Sequence, residues 1–263
     1  MLSQHWSEPT RTVVSTLPAA PPTPKRFSIV IPLNNEGENV APLVRELRAA
    51  LHGRQDYELI LVDDGSTDGT AEEINRVAAE TGPLRKLSHS SRRGQSTAIY
   101  NGVRAATTNF VVMLDGDLQN DPADIGRLLE TLVDADDQLG LVIGHRVERR
   151  DTLVRRWSSR IANAVRSSLL HDRTPDTGCG LKLVRRSVFL MLPYFDHMHR
   201  FLPALVQAAG FRVLSVPVRH RPRVNGKAHY GVWNRLWVGL VDLVGVAWLA
   251  RRSLPRNYLE EDL

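Results

Sequence analysis

Short apolar runs alternate with amphipathic stretches through the first half of this chain, and few folds accept that pattern. FSIVI (27–31), YELILV (57–62) and FVVML (110–114) have the length and β-branched content of buried strands, as does LGLVIGH (139–145), while RKLS (85–88) is a weaker one. The first run is expected to stop at Pro32. Between the runs, Leu43, Leu47 and Leu51 fall on one helical face, with Glu38 and Asn39 as candidate caps and Gly53 as the stop. Thr70 and Glu73 have capping-box spacing at the head of TAEEINRVAAE. A third helix is expected over 95–106, after Gly94, and a fourth from Pro122 to about Val133. Strand and helix in turn predict an α/β fold, a mostly parallel central sheet with helices on both faces. The 263 residues are enough for one sizeable domain of this kind and short for two.

Polar clusters follow the apolar runs. Asn34, Asn35 and Glu36 come after the first, Asp63, Asp64, Gly65 and Ser66 after the second, and Asp115, Gly116 and Asp117 after the fourth. In open parallel sheets, ligands bind at the carboxyl ends of the strands. Asp115, Asp117 and Gln119 alternate, so their oxygens can converge on a hard cation, or simply form a polar loop. A second D-x-D, Asp134-Ala135-Asp136, sits at a helix end with no apolar run before it and reads as surface. Gly116 suits a sharp turn near phosphates. Asp63 ends an apolar strand and so needs a partner, whereas Asp64 can belong to a turn capped by Asp68 or Thr70. Arg92, Arg93 and Gly94 precede a helix start, a place suited to anions.

Charge narrows the partners. The net +5 comes from 34 basic and 29 acidic residues, and it is concentrated: seven arginines against Glu148 and Asp151 between Arg146 and Arg166. Such a patch fits phosphate, nucleic acid or a lipid surface, and equally a solvated helix face. Nucleic acid is disfavoured, because acids at the strand ends would repel phosphate without a metal. The single Cys179 excludes an intramolecular disulfide and a cysteine-based zinc cluster, and fits a reducing compartment. Residues 1–25 carry Pro9, Pro18, Pro21, Pro22 and Pro24 and read as a disordered arm without the apolar core of a secretory signal peptide. Residues 26–230 then form the domain and 231–263 a terminal helix with its tail. In that helix LWVGLVDLVGVAWLA is 15 residues long. That is about 22 Å, against about 30 Å for a bilayer core, so an interfacial helix is expected rather than a spanning one. Asp242 in its middle and the flanking Trp233, Trp237, Trp248, Arg235, Arg251 and Arg252 agree, while a terminal core helix is the alternative.

VIPLNNEGENV, LVDDGSTDGT, RRGQSTAIYNG and MLDGDLQNDP, in this order, resemble the family 2 glycosyltransferases of GT-A fold. GHR (144–146), LVRRWSSR (153–160), DTGCGLKLVRR (176–186) and RPRVNGKAHYG (221–231) resemble its polyprenyl-phosphate branch, the dolichol-phosphate mannosyltransferase-like enzymes. The likeness covers roughly 27–250. It implies inverting transfer of a sugar from a GDP- or UDP-sugar donor to a polyprenyl phosphate, at the cytoplasmic face of a membrane. It implies Mg²⁺ or Mn²⁺ on Asp115, Asp117 and Gln119, with Asp115 on the metal or the ribose. Asp63 would meet the nucleobase, Pro32, Asn34 and Glu36 the nucleoside, Arg223 the diphosphate, and Thr177 and Gly178 the sugar. Arg146, Arg155 and Ser159 would hold the acceptor phosphate and, with Asp117, form the catalytic set. One departure is clear: Ala228 and His229 stand where the branch has Ser and Lys.

The acceptor decides between rival chemistries. A hydroxyl acceptor needs a general base. The Q-x-x-R-W motif of processive members is absent, the one Glu-Asp pair, Glu261-Asp262, lies in the tail, and Asp176 is the nearby candidate. A lipid phosphate needs cations instead. On a helix Arg155 and Ser159 share a face beside an apolar stripe of Val154, Trp157, Ile161 and Val165. A sugar-nucleotide pyrophosphorylase would want G-x-G-x-R after the first strand, and the chain lacks it there.

Overall fold

A computed structural model of the chain describes residues 26–133, 135–147, 166, 169–170, 172, 174–222 and 232–252. The Pro-rich arm, the helix expected to carry Arg155 and Ser159, and the loop with Arg223, Ala228 and His229 lie wholly or almost wholly outside those residues. Seven strands form one sheet: β1 (Phe27–Leu33), β2 (Tyr57–Asp63), β3 (Arg85–Ser88), β4 (Phe110–Met113), β5 (Leu139–Arg146), β6 (Lys182–Arg185) and β7 (Arg212–Val218). Their order is β3-β2-β1-β4-β6-β5-β7. All pairings are parallel except those of β6, which runs antiparallel to β4 and β5.

The helices are α1 (Gly37–Ala50), α2 (Thr70–Thr81), α3 (Gln95–Ala105), α4 (Ile125–Glu130), α5 (Arg186–Met191), α6 (Leu202–Ala208) and α7 (Val232–Arg252). The sheet separates two cores. Along β1, Phe27, Ile29 and Ile31 join Leu43 and Leu47 of α1 on one face, while Val30 joins Ile99 and Val103 of α3 on the other. That is the period-two alternation of a strand buried on both sides.

Several local expectations are corrected. β1 passes through Pro32 rather than stopping there. The reason is pairing: β4 reaches β1 only as far as Val30, so the missing N–H of Pro32 removes no ladder bond on that side. Neither Glu38 nor Asn39 caps α1, and Thr70 and Glu73 do not form a capping box. One carboxylate serves both starts instead. Asp68 accepts from Gly37 N at 3.2 Å and from Thr70 N at 3.1 Å, and Glu73 turns away to Arg76. The helix expected from Pro122 to Val133 is a 3-10 turn, Pro122–Asp124, followed by the six-residue α4. Asp121 caps that turn by accepting from Ala123 N at 3.0 Å.

α7 packs one side against the body: Leu243, Val246 and Ala247 are buried in the same core as α6. Leu240, Val241, Val244 and Trp248 on its other side are exposed. The core-helix alternative therefore describes one face of α7, and the other is an exposed apolar strip. No helix among the described residues is long and apolar enough to cross a membrane.

Candidate active site at the carboxyl edge of the sheet

β1, β2 and β4 end at one edge, and the loops beyond them bring the acids together. Asp115 follows β4, and its Oδ1 accepts from Gln95 Nε2 at 2.8 Å. Gly180 presses against the other oxygen, so that any side chain at 180 would collide with Asp115 Oδ2. Burial pushes the Asp115 carboxyl above the usual carboxylate range; nearby Lys182 pulls it down and nearby Asp117 pushes it further up. Asp117 Oδ1 takes the N–H of Gln119 at 3.2 Å. The positive φ of this loop falls at Leu118, at 61°, and not at Gly116. Gly116 is required instead because a Cβ there would strike Leu33 of β1.

A divalent cation fits these residues. Two carboxylates stand close enough to raise one another's energy, with the amide of Gln119 two residues on. Mg²⁺ or Mn²⁺ typically takes one or two carboxylates, water and substrate phosphate oxygens. Among the described residues there is no group of three or more His, Cys, Asp or Glu placed to hold a metal without such help.

At the ends of β1 and β2 most polar side chains already bind the chain itself. Asp63, buried, accepts from Ser66 N at 3.0 Å. Asn34 donates to Asp64 O at 2.8 Å. Asn35, in the left-handed region at φ 57°, accepts from Thr67 N at 2.8 Å. Glu36 accepts from Asn39 Nδ2. Asp64 is a structural hub: it accepts from Arg93 N at 2.7 Å and Gly94 N at 2.8 Å, and its Oδ1 lies 2.7 Å from His89 Nδ1. The anion at the start of α3, a place the sequence marks for phosphate, is thus the protein's own carboxylate.

The cationic side comes from later strands. Arg146, at the end of β5, grips Asp176 with two bonds, Nε to Oδ2 at 2.6 Å and Nη2 to Oδ1 at 2.8 Å. Its Nη1 has no partner among the described residues, and its charge is reinforced by Asp176 despite the opposing effect of burial. A cavity of about 340 Å³ opens beside Asp115, with Pro32, Thr177, Gly178, Lys182, His199 and Arg200 in its wall. Cys179 beside it is buried, and burial raises its thiol pKa, so it is packed rather than reactive. Lys182 is buried, and burial lowers its pKa while Asp115 works to raise it. His199 is pushed down to about 3, chiefly by burial, and its Nδ1 lies 2.8 Å from Ser96 Oγ.

Four cavity or site groups, Gln95, Lys182, His199 and Arg200, were not singled out from sequence. Gln95 and Lys182 sit inside motifs quoted above; a lysine in the apolar run GLKLV was the available signal. His199 and Arg200 carry no local signal, since a 3-10 turn, Met198–Arg200, brings them in from far along the chain.

A sheet of this order, with acids at its carboxyl edge and a cavity beside them, defines a GT-A frame. The chain belongs to glycosyl transferase family 2, whose model matches residues 28–191, and it is a glycosyltransferase. It is 34% identical over 238 residues to the dodecaprenyl-phosphate galacturonate synthase of Rhizobium johnstonii, covering 88% of this chain and 70% of that one. It is 35% identical over 209 residues to the undecaprenyl-phosphate 4-deoxy-4-formamido-L-arabinose transferase of Edwardsiella ictaluri, covering 78% of this chain and 63% of that one. Part of each relative's length therefore has no counterpart here. In fold it matches glucosyl-3-phosphoglycerate synthase of Mycobacterium tuberculosis, crystallised with Mn²⁺, uridine diphosphate and phosphoglyceric acid. The TM-score is 0.66 at 17% identity, over 88% of this chain and 80% of that one.

Proposed function

We propose that the chain transfers one sugar, with inversion, from a nucleotide diphosphate sugar to a polyprenyl phosphate. The observation that carries this reading is the state of Asp176. Both of its oxygens are claimed by Arg146, so the nearby candidate base is not free to take a proton from a hydroxyl. A phosphate acceptor is already an anion and needs cations instead. The two relatives named above act on dodecaprenyl and undecaprenyl phosphate, which supports the same acceptor class.

In this reading the acceptor phosphate oxygen attacks the anomeric carbon as the bond to the diphosphate breaks, in line and without a proton transfer. A divalent metal on Asp115, Asp117 and Gln119 would offset the charge that grows on the leaving group. Gln95 holds Asp115 in place for that task. Arg146, whose Nη1 has no partner among the described residues, would join Arg155 and Ser159 on the acceptor phosphate, and Arg223 would meet the diphosphate. Pro32, Asn34, Glu36 and Asp63 would line the nucleoside. The exposed apolar side of α7, with Arg251 and Arg252 at its end, suits a peripheral seat on an anionic membrane surface. We place that seat on the cytoplasmic face.

The test uses purified protein, Mg²⁺, undecaprenyl phosphate and labelled UDP- and GDP-sugars. Labelled, mild-acid-labile lipid is the expected product. Label found only on a hydroxyl-bearing acceptor would overturn the reading.

A further inference from the structure

We propose that Arg166 is a positioning residue for the donor cavity: it holds Thr177, and with it the Thr177–Gly178 strip of the wall, where the donor meets it. This rests on the reading above that the chain uses a nucleotide-sugar donor. The inference begins with the segment that leads into β6. Asp172, Thr174, Asp176, Thr177 and Cys179 are all buried, and none of them lies in a helix or strand. Buried backbone without regular pairing needs side chains to satisfy it.

Two arginines do so. Arg146 grips Asp176 with two bonds, and a Cβ on Gly178 would come within 3.2 Å of its Nη2. Arg166, the last of the arginines in the basic cluster, takes the rest of the segment and is itself largely buried. Its Nη2 donates to Thr174 O at 2.9 Å and lies 3.4 Å from Asp172 Oδ1. Its Nη1 donates to Thr177 Oγ1.

The use of the second arm points beyond folding. Balancing the buried charge of Asp172 takes one nitrogen, and Nη2 supplies it while also satisfying Thr174. Nη1 goes instead to the hydroxyl of a residue in the cavity wall. Arg166 is not in that wall, so it acts on the cavity through Thr177. A guanidinium fork reaches two partners at fixed spacing, which the point charge of a lysine does not. The wall is therefore set before the donor arrives, and binding does not have to order it.

The experiment uses the full chain, Mg²⁺ and the sugar nucleotide that serves in the labelled-lipid assay. Wild type, Arg166→Lys, Thr177→Val and the double variant are compared. Arg166→Lys keeps a cation beside Asp172 and gives up the second arm; Thr177→Val removes the same contact from its other end. Val77→Ala, a truncation in the buried face of α2 away from the cavity, serves as the stability control. Arg166→Lys is expected to lower kcat/KM by roughly 10- to 100-fold, mostly through the donor KM, the scale of a misplaced positioning group. The double variant should lose no more than the worse single one, because both changes break one contact. Calorimetry with free UDP and GDP identifies the part of the donor that lies against the strip. A fall for the sugar nucleotide alone places the sugar there and an equal fall places the diphosphate, and either supports the inference. Unchanged kcat/KM in Arg166→Lys overturns it, as do additive losses in the double variant or a loss matched by Val77→Ala at equal melting stability. Should Arg166→Lys fail to fold, donor binding in Thr177→Val equal to wild type overturns it as well. Binding of no sugar nucleotide by the wild type would sink the donor reading itself.

Discussion

At one edge of the sheet β2 and β4 lead into Asp63, Asp115 and Asp117, while Arg146 ends β5 and Lys182 begins β6. The acidic half is made of parallel strands joined by short helical crossovers, and its loops are tied down by their own side chains. The basic half is interrupted by a strand of opposite direction. Because β6 is antiparallel, it is its first residue, Lys182, that lies beside Met113 near the end of β4. The difference teaches a division of labour. Acids can serve an anionic donor only through a metal, whereas bases can meet an anionic group directly.

The largest effect should come from the acidic half. Asp117→Ala is expected to lower turnover by roughly 10²- to 10³-fold, as for loss of one strong electrostatic contact to a transition state. Excess EDTA should do at least as much, and full activity in EDTA would erase the distinction between the halves. Arg155→Ala should act on the other side only. A loss of about 1.5–3 kcal/mol would raise the lipid-phosphate KM by roughly 10- to 150-fold and leave donor affinity in calorimetry nearly unchanged. If both affinities fall together, Arg155 belongs to the donor side or to the fold.

Smaller effects concern stability. The pKa of His199 is about 3 when folded. An unfolded histidine titrates near ~6.5, so the folded state binds the proton less readily. Its contribution is therefore intact above the unfolded value and is lost as pH falls toward the folded one, at up to about 1.4 kcal/mol per pH unit. Urea melts of wild type and His199→Gln between these limits should show the slope in the first and a shallower one in the second. Asp68→Ala should cost about 1–2 kcal/mol, the usual range for a lost cap, since it serves two helix starts. Hydrogen bonds from Thr70 and Gly37 overcome burial and hold the Asp68 carboxyl below its usual range. That stability is present above the ordinary carboxylate pKa and disappears as acid protonates the folded group. A wild-type melt insensitive to Asp68→Ala would show that the loop is held by other contacts.

The acidic half is largely legible in the sequence. Its strands carry the period-two core pattern within themselves, and the D-G-D loop abuts an apolar run that marks the edge. Pro32 misled because the effect of a proline depends on which neighbour reaches it, and strand pairing is not local information. The basic half is less legible. β6 and β7 are short or half-exposed, with charged residues at their ends, and no strand was expected there. Gln95, Lys182, His199 and Arg200 lie far apart in sequence and meet only through strand direction and a 3-10 turn. Rules about carboxyl ends of strands pass over a residue such as Lys182, which begins one.

The two-sided character of α7 reaches into practical biochemistry. Leu243, Val246 and Ala247 are satisfied by the body, whereas Leu240, Val241, Val244 and Trp248 are exposed, with no cover among the described residues. In lipid-free buffer that strip is a contiguous oily surface, the kind that drives proteins to stick to one another and to plastic. Specific activity in such buffer is expected to fall as the stock is concentrated, and mild detergent or small vesicles should restore it. If the acceptor is the lipid phosphate proposed above, its relevant dose becomes its fraction of the bilayer area rather than its molarity in the tube.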